Sequence, residues 1–181
     1  MMFWIFISLV IAQRLIELRI AKRNEKWILS QGGYEVGHSH YKYIVLMHIL
    51  FFVSLIFEVL YRGNELSVFY PVLFFLFAIT QLGRVWALTS LGLFWNTKIM
   101  ILQKSQVQAK GPYKYFKHPN YLIVALEFIL IPVIFQAYIT GTIFSLLNFA
   151  IMSIRIPVEE QALSVHEDYR HIGMVRKRLT R

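Results

Sequence analysis

Residues 43–61 read YIVLMHILFFVSLIFEVLY, and this stretch decides the class of the protein. As an α-helix it would be about 28 Å long, which matches the hydrocarbon core of a bilayer. Comparable apolar runs occupy 3–20, 69–91, 121–138 and 139–156. Only 16% of the 181 residues are charged, whereas about a quarter are charged in an ordinary soluble domain. We therefore predict an all-α fold, a polytopic membrane helical bundle of five transmembrane helices.

The last two runs are separated only by Gln136 and the turn-like sequence Thr140-Gly141-Thr142. This pattern predicts a tight helical hairpin between the fourth and fifth spans. The first run is the least apolar of the five, because Gln13, Arg14 and Glu17 lie in its inner half.

The basic residues favour one orientation. Eighteen of the nineteen lysines and arginines lie in 14–42, 84–117 and 155–181, and only Arg62 lies between the second and third runs. With five spans these three segments share one side, which the positive-inside rule assigns to the cytoplasm. We expect an integral protein of a bacterial cell membrane, with its N-terminus outside and its C-terminus cytoplasmic. In a chain this apolar, the net charge of +9 indicates contact with membrane lipid and no nucleic-acid partner.

The polar segments are predicted to fold rather than to act as linkers. The stretch 92–117 holds eleven large apolar or aromatic residues, too many for a disordered tether, so we expect a cytoplasmic cap. Pro157 followed by Glu159 and Glu160 is typical of the first turn of a helix, which predicts a separate C-terminal helix. The chain would form one domain over 1–181, with three spans in 1–91 and the cap, hairpin and C-terminal helix in 92–181.

The densest polar and aromatic cluster is residues 110–121, KGPYKYFKHPNY, where the cap re-enters the membrane. Pro119 suits the first position of the fourth span, and the free backbone N–H groups of that helix end suit an anionic group. The aromatic faces beside them suit a purine ring or a sulfonium cation. An interfacial belt that anchors a helix is an equally good explanation of these residue types.

A second cluster, Arg155, Glu159 and Glu160, follows the last apolar run. Adjacent carboxylates beside an arginine could bind ribose hydroxyls and an anionic acceptor. Charge that complements a helix dipole explains the same residues without any ligand.

The two clusters together resemble the isoprenylcysteine carboxyl methyltransferase family of integral membrane methyltransferases, and its short bacterial branch above all. The resemblance covers about residues 92–169 and consists of G-x-Y-x-x-x-[RK]-H-P-x-Y, a hydrophobic hairpin, and then R-x-x-x-E-E-x-x-L. Lys117 replaces the more usual arginine before His-Pro, and the tail between Leu163 and Tyr169 is two residues shorter than in eukaryotic members. The second difference concerns the closing helix, and so the acceptor more than the cofactor.

The resemblance implies S-adenosyl-L-methionine as cofactor and a lipid-like small molecule as acceptor. Arg155 would bind the acceptor and act in catalysis, with Glu127 also lining the acceptor pocket. The implied cofactor-binding residues are Gln106, Val107, Gln108, Tyr113, His118, Pro119, Asn120, Tyr121 and Glu159.

The resemblance leaves two acceptors open. One is a small lipophilic metabolite that carries a carboxylate or an acidic enol, such as an alkylpyrone, and the other is a prenylcysteine carboxylate. We favour the small metabolite and O-methylation. A phospholipid N-methyltransferase is one alternative, and a non-enzymatic scaffold or transporter subunit is another. In that last case Glu127 and Arg84 would mark a transport path.

Three further points concern single residues and assembly. Glu127 lies inside the fourth run, where a carboxylate either lines a pocket or pairs with another helix. His38 and His40 are the only close histidine pair, and without cysteine we expect no metal site. The sequence leaves the oligomeric state open.

Overall fold

The computed structural model describes residues 1–102 and 110–164 and is mostly helical. Five α-helices account for most of these residues. Their bounds are α1 Met2–Ser30, α2 His38–Tyr61, α3 Tyr70–Leu91, α4 Pro119–Ile134 and α5 Tyr138–Leu163. Two short strands, β1 Tyr34–Val36 and β2 Ile99–Ile101, and the 3-10 turns Gly92–Phe94 and Gly111–Lys114 complete the described part.

Three of the helices are long and apolar enough to cross a membrane. They comprise His40–Tyr61, Tyr70–Phe94 and Tyr138–Leu163. Helix α4 is apolar but has 16 residues, and α1 carries three charged side chains, Arg14, Glu17 and Arg19, in its middle. The chain is therefore an integral membrane protein. Of the five predicted spans, α2, α3 and α5 are long and apolar enough to cross a membrane.

An aromatic core fills the end of the bundle that holds the α2–α3 and α4–α5 connections. Phe3 packs edge-on against Phe135, and Phe51 packs edge-on against Phe128 with ring centroids 4.6 Å apart. Edge-to-face pairs of this kind add to the stabilisation from buried area. They join α1 and α2 to the α4–α5 hairpin.

The hairpin turn lies at residues 135–137, so the predicted turn at Thr140-Gly141-Thr142 is wrong. Gln136 takes the left-handed conformation, with a φ of 55°, and its side chain donates to the Leu66 carbonyl at 2.9 Å. Thr140, Gly141 and Thr142 belong instead to the first turns of α5, because Glu58 caps the start of that helix. The Glu58 carboxylate accepts the backbone N–H groups of Ile139 at 3.1 Å and of Thr140 at 2.7 Å.

The described part of the cap, residues 92–102 and 110–117, folds against the helices, and it contributes to a small sheet that an all-α fold does not contain. Strands β1 and β2 pair antiparallel, with Tyr34 opposite Ile101 and Val36 opposite Ile99. The isoleucines of β2 are buried and Met100 is half-buried, as expected of a half-covered strand. Asn24 of α1 fixes the cap by donating to the Gly92 carbonyl at 3.0 Å and the Trp95 carbonyl at 2.7 Å.

Helix α5 continues through Pro157, so the predicted start of a separate helix at this residue is wrong. Proline removes one backbone hydrogen bond in a helix interior, and such a loss is tolerated where neighbouring structure supports the helix. Here the small sheet lies against the end of α5, and Val158 approaches Gly37 at the start of α2. The rest of the predicted C-terminal helix, 165–181, lies outside the described residues.

Lys98 connects the cap to α1 and β1, and its removal should destabilise the protein. Its Nζ lies 2.8 Å from Glu25 and 2.9 Å from Glu35, and its pKa is raised by the bond to Glu25 first and by the bond to Glu35 next. We expect Lys98→Met to lower the free energy of unfolding in detergent by about 1–3 kcal/mol, because Glu35 stays buried without its partner.

The pH dependence of unfolding provides the check on Lys98. A raised lysine pKa stabilises the folded state fully below the ordinary value of 10.5, and this contribution disappears as pH rises through the folded value. The stability gap between wild type and Lys98→Met should therefore be constant near neutrality and close above about pH 10.5. A gap that persists unchanged into that alkaline range would contradict the assignment.

Candidate functional site

The start of α4 meets the second half of α5, and the two polar clusters of the sequence come together there. The Tyr121 hydroxyl donates to the Glu159 carboxylate. The rings of His118 and Tyr121 stack with centroids 5.3 Å apart and planes 17° from parallel. His118 also faces the acidic pair, with its Nε2 3.3 Å from Glu160 and its Nδ1 3.8 Å from Glu159.

Arg155 lies beneath this pair, buried with 5% of its surface exposed. Its Nε donates to the Tyr121 hydroxyl oxygen at 2.7 Å, and its Nη2 donates to the Thr97 carbonyl at 2.6 Å. The guanidinium carbon is 5.6 Å from the centroid of the Tyr121 ring. Two hydrogen bonds and one ring face therefore hold the arginine in a single orientation.

The Gly111–Lys114 turn brings Tyr113 to the same site. Gly111 has a φ of +55° and lies so close to α3 that a Cβ atom would be 2.0 Å from the Ser90 hydroxyl, so a side chain there would collide with it. Burial raises the pKa of the Tyr113 phenol, and the negative charge of nearby Glu159 raises it further. Tyr113 therefore stays protonated beside the carboxylate.

The structure describes only some of the remaining predicted cofactor residues. Pro119 occupies the first position of α4 and is buried. The side-chain oxygen of Asn120 is buried and has no hydrogen-bond partner among residues 1–102 and 110–164. Gln106, Val107 and Gln108 lie outside the described residues.

Sequence comparison identifies the family of the chain. The model of the isoprenylcysteine carboxyl methyltransferase family matches residues 71–165, which include α3, the Gly111–Lys114 turn, α4 and the whole of α5. The chain belongs to the isoprenylcysteine carboxyl methyltransferase family. Membership in this family implies a membrane-associated methyltransferase activity.

Two bacterial relatives of this methyltransferase match it along most of its length. The uncharacterized protein YpbQ of Bacillus subtilis (strain 168) is 46% identical over 162 residues, which are 90% of this chain and 96% of the relative. An uncharacterized protein of Haemophilus influenzae is 28% identical over 160 residues, which are 86% of this chain and 91% of the relative. No solved structure matches the chain significantly.

A cavity of about 480 Å³ extends from the site into the bundle of this methyltransferase. Asn120, Tyr121 and Arg155 line its upper end, and residues of α1 and α2 line most of the rest. Seven of these are aliphatic, and Arg14, Glu17 and His48 are also among them. The cavity opens sideways between these two helices. Five of its lining residues expose more than a third of their surface, and they are Leu15, Leu18, Val45, Ile49 and Val53.

A buried charge network borders this cavity and includes Glu127. The Glu127 carboxylate accepts hydrogen bonds from Arg14 and Arg84, and from Gln81 at 2.7 Å. Glu17 completes the network, 2.8 Å from Arg14 and 3.2 Å from Arg84. Glu127 was expected either to line the acceptor pocket or to pair with another helix, and the geometry favours the pairing. Its carboxylate lies in a minor pocket beside the main cavity. Its predicted role in binding the acceptor remains a prediction.

Sequence analysis did not identify Thr97 as a member of the site, and it did not predict one of the site's ion pairs. Thr97 contributes its backbone carbonyl to Arg155, which any residue type could do, so no side-chain signal existed. Lys117, just before α4, forms an ion pair with Glu160 of α5 at 3.0 Å. The opposite charges of these residues were visible in the sequence, but their pairing depends on how α4 packs against α5.

Proposed function

We propose that this protein is an S-adenosylmethionine-dependent O-methyltransferase that acts on a lipophilic acceptor with an acidic oxygen. The acceptor would be the carboxylate or acidic enol of a small lipid-like metabolite. One observation carries the proposal: the Tyr121 hydroxyl lies between Glu159 and Arg155 at the end of a largely apolar cavity. A cofactor site and an acceptor site would then share that hydroxyl.

The residues present fit this cofactor. The stacked rings of His118 and Tyr121 offer faces for a purine or a sulfonium cation, and Glu159 offers a carboxylate for ribose hydroxyls. The Asn120 side-chain oxygen, which has no hydrogen-bond partner among the described residues, is a buried acceptor that a ligand N–H or O–H group would satisfy. The bound cofactor supplies a methyl group that is already activated on a sulfonium.

The protein itself mainly has to align two reactants and keep water away. Arg155 holds a permanent positive charge at the buried end of the cavity, where it would orient the acceptor oxygen anion. Because that acceptor is already ionised, no strong general base is needed. His118 accordingly belongs with the cofactor-holding groups.

The acceptor would enter from the membrane through the opening between α1 and α2. The exposed aliphatic residues at this opening suit a hydrocarbon chain, and the burial of that chain would place its polar head near Arg155. This geometry favours a lipid-like acceptor over a water-soluble one.

Binding of S-adenosylhomocysteine in detergent, measured by isothermal titration, tests the cofactor site. We expect micromolar-range affinity for wild type and a loss of about ten-fold or more for Tyr121→Ala and for Glu159→Ala. Each change removes a group that would contact the cofactor. Tyr61→Ala and Glu65→Ala make the same chemical changes at exposed positions on the opposite end of the bundle and should bind like wild type.

Folding of each variant is verified by thermal unfolding before titration. Wild-type affinity in both well-folded site variants would refute this cofactor site. Absence of binding in folded wild type would refute the proposed function.

A further inference from the structure

Two exposed lysines flank the lateral opening of the cavity. Lys22 follows Leu18 by four residues and Leu15 by seven, so it continues the face of α1 that lines the cavity. Lys42 precedes Ile49 by seven residues, so it continues the corresponding edge of α2. Within the described ranges neither lysine forms an ion pair with a carboxylate.

Both lysines lie at the level of Arg155. Asn96 donates to the carbonyl of Ala21, the neighbour of Lys22, at 3.2 Å. The next residue, Thr97, lies 3.2 Å from the hydroxyl of Tyr41, the neighbour of Lys42, and its carbonyl accepts from Arg155. Consecutive residues of one loop therefore touch both helices beside the two lysines.

This level is also the edge of the apolar layer. Helix α3 is long and apolar enough to span the membrane, and the Gly92 carbonyl at its end accepts from Asn24, two residues after Lys22. Charges at the end of a span lie among lipid headgroups, where they attract anionic amphiphiles. The lysines thus lie where the head of a membrane-embedded acceptor would first reach the opening.

We propose that Lys22 and Lys42 form an anion-selecting rim that draws amphiphiles with an anionic head into the cavity and excludes their neutral counterparts. The inference rests on the proposed function and adds to it the two residues that would select the ionised form of its acceptor. It also assigns a direction to the reaction. Methylation removes the negative charge, so the neutral product loses its attraction to the rim and leaves toward the lipid.

The binding of a fluorescent fatty acid and of its methyl ester to the purified full-length protein tests the rim. The measurement uses non-ionic detergent, no cofactor, and a pH at which the fatty acid is ionised. We expect wild type to prefer the acid over the ester, and Lys22→Gln/Lys42→Gln to reduce this preference about ten-fold. The affinity for the ester should stay unchanged, because both substitutions are at exposed positions and keep the apolar walls.

A charge-matched control separates the rim from overall charge. Arg23→Gln/Lys110→Gln also removes two exposed positive charges and should keep the wild-type preference. Arg23 points about 100° around α1 from Lys22, away from the face that lines the cavity, and Lys110 lies on neither α1 nor α2. The proposal would be overturned if the rim variant kept the wild-type preference for the acid over the ester. It would also be overturned if the control variant lost that preference as much as the rim variant does. Because no methyl transfer is measured, charge-selective binding without any S-adenosylhomocysteine binding would refute the proposed function and leave the rim intact.

Discussion

Replacement of Arg155 by alanine should reduce methyl transfer by a factor on the order of a hundred to a thousand, while S-adenosylhomocysteine binding stays within about three-fold of wild type. The guanidinium is held by Tyr121 and by the Thr97 carbonyl at the buried end of the cavity. Its removal takes away the positive charge that would orient the acceptor anion. The rings and the carboxylate that would hold the cofactor should remain in place.

Transfer of tritium from labelled S-adenosylmethionine into the organic phase measures this effect, with a total lipid extract of a bacterial membrane as the source of acceptor. Arg155→Lys keeps the charge but cannot make both directed hydrogen bonds, so its turnover should lie between those of wild type and the alanine variant. Near-wild-type turnover in Arg155→Ala would remove this residue from the acceptor site. A matching loss of cofactor affinity would reassign it to the cofactor site.

Replacement of Arg84 by methionine should cost about 3–5 kcal/mol of unfolding free energy, the largest stability effect that we expect in the bundle. The Arg84 side chain is 2% exposed and lies between Glu17 and Glu127. Without it, Arg14 alone faces two buried carboxylates. An uncompensated charge inside the bundle is far more costly than a missing contact.

The double variant Arg84→Met/Glu127→Met makes this prediction specific to charge balance. In the double variant the Arg14–Glu17 pair remains, and its two charges cancel. The double variant should therefore be more stable than Arg84→Met despite the additional substitution. Arg62→Met breaks an exposed pair with Glu58 and should change stability by about 0.5 kcal/mol or less. Thermal unfolding in detergent measures all three, and a double variant weaker than the single one would contradict the charge-balance explanation.

The parts of the fold that sequence predicted are those that depend on local pattern. Apolar runs of sufficient length predicted α2, α3 and α5, because an α-helix is the structure in which a single segment satisfies all its own backbone hydrogen bonds in lipid. The proximity of His118 and Tyr121 to Glu159 was also expected, since both clusters flank the same side of one hairpin. The structure brings these residues together, and the ligands assigned to them remain proposals.

The parts that sequence did not predict depend on packing between distant segments. Arg14 and Glu17 made the first run less apolar than the others. Their partners, Glu127 and Arg84, are on α4 and α3 and are apparent only when these helices pack against α1. The pairing of β1 with β2 joins segments more than sixty residues apart, and a three-residue strand has no periodicity to detect. Support from the small sheet likewise decides whether Pro157 begins a helix or lies within one.

The length of α4 has a consequence for where methylation takes place. Its 16 residues extend about 24 Å, several ångströms less than a hydrocarbon layer of about 30 Å. Its far end is level with the α2–α3 connection, because the Ser67 N–H donates to the Ile134 carbonyl at 2.9 Å. The near end, with Tyr121, should therefore not extend beyond the edge of the hydrocarbon layer, which lies beneath the headgroups. An oily molecule would not have to emerge from the leaflet to be modified, and only the soluble partner would need to descend to meet it.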